Sequence, residues 1–133
     1  MSKTICQTVV FKNSTPDALY AIYMDAKKHS KAIGGGKVSI SAKIGSSYSA
    51  WDGYISGKTL CLVKGEMIVQ TWRAADFNSS DPDSILVLRF DKRGNETVVN
   101  MVHALVPDHK YHGIKSGWDD FYWKPWRKYL LGR

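Results

Sequence analysis

The chain has 133 residues, 44% of them hydrophobic and 23% charged, and a formal net charge of +7. That size and balance fit one soluble compact domain spanning residues 1–133, and no apolar run reaches the roughly 18 to 20 residues of a membrane span. The Lys and Arg residues are spread along the chain without a recognition-helix, RNA-binding or zinc-finger pattern, so no nucleic acid is expected, and a basic face for an acidic protein partner is left.

Apolar and polar residues alternate from Thr4 to Lys12, which predicts a strand and not the apolar stretch of a secretory signal. The chain is therefore expected in the cytoplasm, with Cys6 and Cys61 reduced and buried. Next comes "NSTPDALYAIYMD", where Ser14 or Thr15 caps a helix that starts at Pro16 and carries Leu19, Ile22 and Tyr23 on one stripe. A second short helix is expected over Ala26 to Ile33. The "GGGK" at Gly34 to Lys37 lacks the remaining residues of a phosphate-binding loop and reads as a helix-to-strand connection.

Short strands are predicted near residues 37–42, 46–51, 54–63, 66–74, 84–91 and 96–106, with "NSSDPDS" as the longest loop among them. In "RFDKRGNETVV" a Gly-Asn turn joins two of these strands as a hairpin. The final segment, His112 to Leu131, predicts one long helix. Trp118, Phe121, Tyr122, Pro125, Trp126 and Tyr129 follow helical spacing, so this aromatic face is expected to be buried, with a kink at Pro125. The fold class is α+β: a curved antiparallel sheet of about six to seven strands around a long C-terminal α-helix, with two short helices after the first strand.

"GSSYSAWDGYISG" at Gly45 to Gly57, "IVQTWR" at Ile68 to Arg73, "HALVP" at the end of the hairpin and "GWDDFYWKPWRKYL" are similar, in this order, to the C-terminal domain of the activator of heat shock protein 90 ATPase family. That family belongs to the START-like, Bet v-type helix-grip (SRPBCC) superfamily. The resemblance implies the helix-grip fold and a co-chaperone-like module that binds heat shock protein 90 and modulates its ATPase. Full co-chaperones of the family add an N-terminal domain and a basic motif that this sequence does not contain.

Two sets of candidate residues follow. The first is a partner surface: the basic group Lys27, Lys28, Lys31 and Lys37, together with an outer sheet face that carries Ile85, Val87, Val98 and Val102. The outer set rests on a register that pairs Asp91 with Glu96 and sets Arg89 against Val98. The second set serves the alternative function, a carrier or sensor of a small apolar ligand held between sheet and helix, and comprises Gln70, Trp72, Met101, His103, Trp118, Tyr122 and Trp126. A void above roughly 300 Å³ with Gln70 and His103 converging on it would mark that alternative. No Ser-His-Asp order, carboxylate pair or metal-ligand spacing accompanies His103, and His109 and His112 in "PDHKYHG" make only a weak metal pair. The expected protein is not an enzyme and needs no cofactor and no metal.

Overall fold

The computed structural model describes residues 1–132. Strand β1 (Ser2–Lys12) is followed by helices α1 (Pro16–Met24) and α2 (Ala26–Ala32), and then by β2 (Ser47–Ala50), β3 (Ile55–Val63), β4 (Met67–Ala74), β5 (Ser84–Arg93) and β6 (Glu96–Pro107). The strands form one antiparallel sheet in the order β1-β6-β5-β4-β3-β2. A short 3-10 turn, Asp108–Lys110, leads into α3 (Tyr111–Trp118), a π turn over Asp119–Trp123 and α4 (Lys124–Leu131). These last pieces run on as the C-terminal helix.

The short helices start where their side chains allow. The Thr15 hydroxyl accepts from the Ala18 N–H at 3.2 Å with Pro16 as the first helical residue, and the Asp25 carboxylate accepts from the Lys28 N–H at 3.0 Å. Both helices lie on the concave side of the sheet. Tyr23 of α1 donates its hydroxyl proton to Gln70 Oε1 at 2.9 Å, and the Gln70 amide donates to Thr59 Oγ1 at 3.2 Å. Leu86, Leu88, Val99 and Met101 are fully buried beneath the C-terminal helix, as the alternation of β5 and β6 predicts.

Four details differ from the sequence reading. The segment 37–42 is no strand; it makes only a single bridge, Ser39 to Ser49. The hairpin closes on a two-residue Gly94-Asn95 turn that pairs Arg93 with Glu96, so Asp91 lies opposite Val98 and Val87 opposite Val102. A two-residue turn is the tightest that the positive φ of Gly94 permits, and the slip of two residues leaves every side chain on its predicted face. Cys6 is exposed and Cys61 half-buried. An extra residue, Leu60, bulges from β3 between the pairs Thr59–Gln70 and Cys61–Val69, which turns Cys61 to the outer face. Cys6, Val102, Val87, Val69 and Cys61 then form one outward row across five strands.

The fourth difference is in the helix. A continuous α-helix would bury Phe121, yet Phe121 is 56% exposed and Trp123 is fully buried. In the π turn the Lys124 N–H reaches back five residues to the Asp119 carbonyl, which advances the phase so that Trp118 and Trp123 stack with centroids 5.4 Å apart and planes at 19°. Pro125 explains the wide turn. It has no N–H for the Phe121 carbonyl and its ring would crowd that oxygen, and the wider turn removes both conflicts without breaking the helix. Gln7 on β1 secures the region, its amide donating to the Lys115 carbonyl at 3.2 Å and its oxygen accepting from Trp123 Nε1 at 2.8 Å.

Candidate functional site

Between the C-terminal helix and the β2–β3 end of the sheet lies a cleft of about 500 Å³. Its sheet wall is Trp51, Tyr54, Ile55 and Trp72; its helix wall is Ile114, Trp118, Phe121 and Tyr122, with His109 and Lys110 at the rim. Gly113 and Gly117, one turn apart on the helix, also face it. A Cβ on Gly113 would meet nothing within 4 Å. Glycine inside a helix costs about 0.5–1 kcal/mol relative to alanine, so this pair sacrifices helix stability and leaves room beside the backbone.

Trp51 is held in its place by a strained turn. Trp51 and Asp52 have φ of 54° and 57°, a region that bulky residues rarely occupy. The turn persists because the Gly53 N–H bonds the Ala50 carbonyl at 3.2 Å and Asp52 grips Lys37 twice. Its carboxylate accepts from the Lys37 N–H at 2.8 Å and its own N–H donates to the Lys37 carbonyl at 3.1 Å. The glycine-rich loop is thereby a brace for this turn, and the Trp51 ring stands edge-on to Phe121 and Tyr122, with centroids 5.6 and 6.2 Å away.

The polar groups behind the walls are already committed. Trp118 Nε1 donates to His103 Nδ1 at 3.1 Å; His103 Nε2, 2.8 Å from Ser84 Oγ, is then the protonated nitrogen, and Ser84 passes its own proton to the Trp72 carbonyl at 2.6 Å. His103 is thus neutral and used at both nitrogens, and burial pushes its pKa down to about 3. His29 repeats the pattern. Its Nδ1–H donates to the Tyr23 carbonyl at 2.8 Å, and its Nε2 accepts from the Tyr122 hydroxyl at 3.0 Å. Burial lowers its pKa to about 4, against a smaller upward pull from the Tyr23 carbonyl.

At the rim, positive charge is neutralised by the loop after β4. Asp76 accepts from both the Lys110 ammonium and the Tyr54 hydroxyl, and the Lys110 bond holds its carboxyl below the usual range. Asp81 lies 2.9 Å from His109 Nε2, which likewise lowers the Asp81 pKa, and Arg73 bonds Asp83 at 3.2 Å. Among the described residues no group of three His, Cys, Asp or Glu side chains is placed to hold a metal ion. No helix among them is long and apolar enough to cross a membrane.

Of the cavity set read from the sequence, Trp72, Trp118 and Tyr122 border the cleft. Gln70, Met101, His103 and Trp126 do not; they are fully buried core residues, because the aromatic rings of the helix fill the space above them. The void exceeds the expected threshold, yet Gln70 and His103 do not converge on it. The partner set is divided as well. Lys27, Lys28, Lys31 and Lys37 are exposed and without ion pairs among the described residues, but α2 lies on the concave side with the helix. Ile85, Val87 and Val102 point from the convex side, where Val102 is 40% exposed, whereas Val98 is only 9% exposed. These two groups cannot form one contact surface. Trp51, Tyr54, His109, Lys110 and Phe121 were not singled out as cleft residues, and the signal that could have found the cleft is the glycine pair 113 and 117.

A curved antiparallel sheet closed over a C-terminal helix, with a cleft beneath that helix, defines the helix-grip class. The chain belongs to the family described as Activator of Hsp90 ATPase homolog 1-like protein, whose sequence model matches residues 13–130. No curated protein matches it. Among solved structures it is similar to an HSP90 activator from Plasmodium falciparum, at 23% identity and a TM-score of 0.85 over 97% of this chain and 96% of that one. It is also similar to the Aha1 dimer from Colwellia psychrerythraea, at 16% identity and 0.73 over 90% of each chain. A third likeness is to CalU16 from Micromonospora echinospora, at 17% identity and 0.72 over 89% of this chain and 70% of that one. At these identities the likeness is one of fold.

Proposed function

We propose that this domain is a non-catalytic binding module for a small, largely apolar molecule held in the cleft under the C-terminal helix. The observation that carries this reading is the cleft itself, about 500 Å³ in volume, walled by aromatic rings and kept open by Gly113 and Gly117. That volume falls in the roughly 300–1,000 Å³ range of small-molecule sites. Catalysis finds little support, because the most buried histidines, His29 and His103, are committed at both nitrogens. Gly113→Leu tests the proposal. A Cβ at Gly113 meets nothing within 4 Å, which leaves room for the longer side chain to extend into the cleft, so affinity for a neutral solvatochromic dye such as Nile red is expected to fall at least about tenfold, while thermal stability holds or rises by about 0.5–1 kcal/mol. Unchanged dye affinity in this variant would sink the reading.

A second reading, binding to a heat shock protein 90 chaperone, is favoured by family membership and by four exposed lysines on and after α2 that have no ion pair among the described residues. With the convex sheet face turned away, that contact would be electrostatic. Reversing Lys27, Lys28 and Lys31 to Glu is expected to slow association with the purified chaperone several-fold at low salt and to have little effect at high salt. Absence of binding by the unaltered domain at low salt overturns this reading.

A further inference from the structure

The chemistry of the cleft lining narrows the class of molecule it accepts, and this step rests on the cleft reading. A fatty acid or other carboxylate would need a free cation at the rim. Of the rim groups that can carry positive charge, Lys110 is bound to Asp76 and His109 to Asp81, so an incoming anion would have to displace one aspartate and would face the repulsion of the other. Charge therefore disfavours an acid here. The walls are mostly rings, and the helix side offers bare backbone at Gly113, against which a plane lies closer than a bulky branched chain.

One polar side-chain atom of the wall has no partner among the described residues. Of the buried wall residues that carry a polar side-chain atom, Trp118 and Tyr122 spend theirs on His103 and His29. Trp72 is 6% exposed and its indole N–H meets no acceptor among the described residues. The unpartnered side-chain atoms sealed from solvent are Thr97 Oγ1 and Trp126 Nε1. The Trp72 nitrogen is not one of them, so it keeps access to open space, and the space Trp72 borders is the cleft. A donor that opens onto the cleft is left to solvent until a ligand's acceptor replaces the water there.

We propose that the cleft takes an uncharged, flat, mainly aromatic molecule bearing one hydrogen-bond acceptor, such as an aromatic ketone, and that Trp72 Nε1–H is the donor that recognises it. The test titrates the full chain with acetylnaphthalene, ethylnaphthalene and naphthoate, which share one ring system and differ as neutral acceptor, hydrocarbon and anion. By calorimetry the ketone is expected to bind about five- to tenfold tighter than the hydrocarbon, the value of one net hydrogen bond, with naphthoate weakest. In Trp72→Phe the ketone should fall to the level of the hydrocarbon, whose own affinity should change by less than about twofold, an internal check that the cleft is intact. If Trp72→Phe fails to fold, the ranking in the unaltered protein decides alone. Naphthoate binding tightest, all three binding equally, or the ketone keeping its advantage in Trp72→Phe would overturn the proposal and leave the cleft reading standing. No binding of any of the three overturns both.

Discussion

Trp123→Ala is expected to destabilise the domain by about 3–5 kcal/mol, while Phe121→Ala costs well under about 1 kcal/mol. Trp123 is fully buried, stacks on Trp118, packs edge-on to Trp126 at 5.3 Å and donates to Gln7. Its removal opens a cavity in the middle of the aromatic layer and frees the oxygen that holds β1 to the helix. Phe121 is more than half exposed at the mouth of the cleft and has much less to lose. The pair is diagnostic of the π turn, since an uninterrupted α-helix predicts the opposite order. Urea midpoints of the two variants measure it, and equal losses would contradict the phase described here.

Stability is also expected to fall steeply with mild acid. His29 and His103 have folded-state pKa values of about 4 and about 3, against about 6.5 for an unfolded histidine. A group whose folded value is lowered binds its proton more readily when unfolded, so the neutral rings favour the fold fully above about pH 6.5 and that contribution is lost as pH falls towards the folded values. Between pH 7.5 and 4.5 the two together should remove on the order of 5 kcal/mol, a large part of a typical domain's stability. This window lies above the ordinary aspartate range, so the carboxylates contribute little. His103→Gln should roughly halve the slope of stability against pH. A flat profile in the unaltered protein would mean that these histidines are not buried neutral.

The layered architecture was legible because its signals are local. Thr15 and Pro16 start α1 by capping chemistry, the alternation in β5 and β6 assigns inner and outer faces whatever the register, and helical spacing places Trp118, Tyr122 and Trp126 on the sheet. What was not legible depends on a single residue's shift or on distant parts of the chain. The π turn responds to Pro125 and to the fit of Trp123 over β1, and no periodicity encodes it. The bulge at Leu60 reverses the face of Cys61 by one inserted residue. The rim of the cleft joins Tyr54, Asp76, Asp81, His109 and Lys110, which come from three separated connections and meet only after the sheet has curled. Gln70 and His103 looked like ligand groups because they are polar residues on an apolar face, and the partners that satisfy them, Tyr23, Thr59, Ser84 and Trp118, are likewise distant in sequence.

The strand order also governs how the domain assembles. Strand β1 pairs only with β6, Ile5 lying opposite His103. The meander from β2 to β6 can zip through short connections, whereas β1 gains its partner only by closing the longest loop in the chain, at a higher cost in entropy. Until that closure, β6 presents a bare edge beside an uncovered aromatic floor, the kind of surface on which intermediates aggregate. Gln7, which bonds Lys115 and Trp123 at once, locks the two ends together at this late step. The docking of β1 is therefore expected to be the slow step, and stopped-flow refolding of Gln7→Ala should show slower recovery of the folded state with the hairpins little disturbed, whereas an unchanged rate would contradict this order.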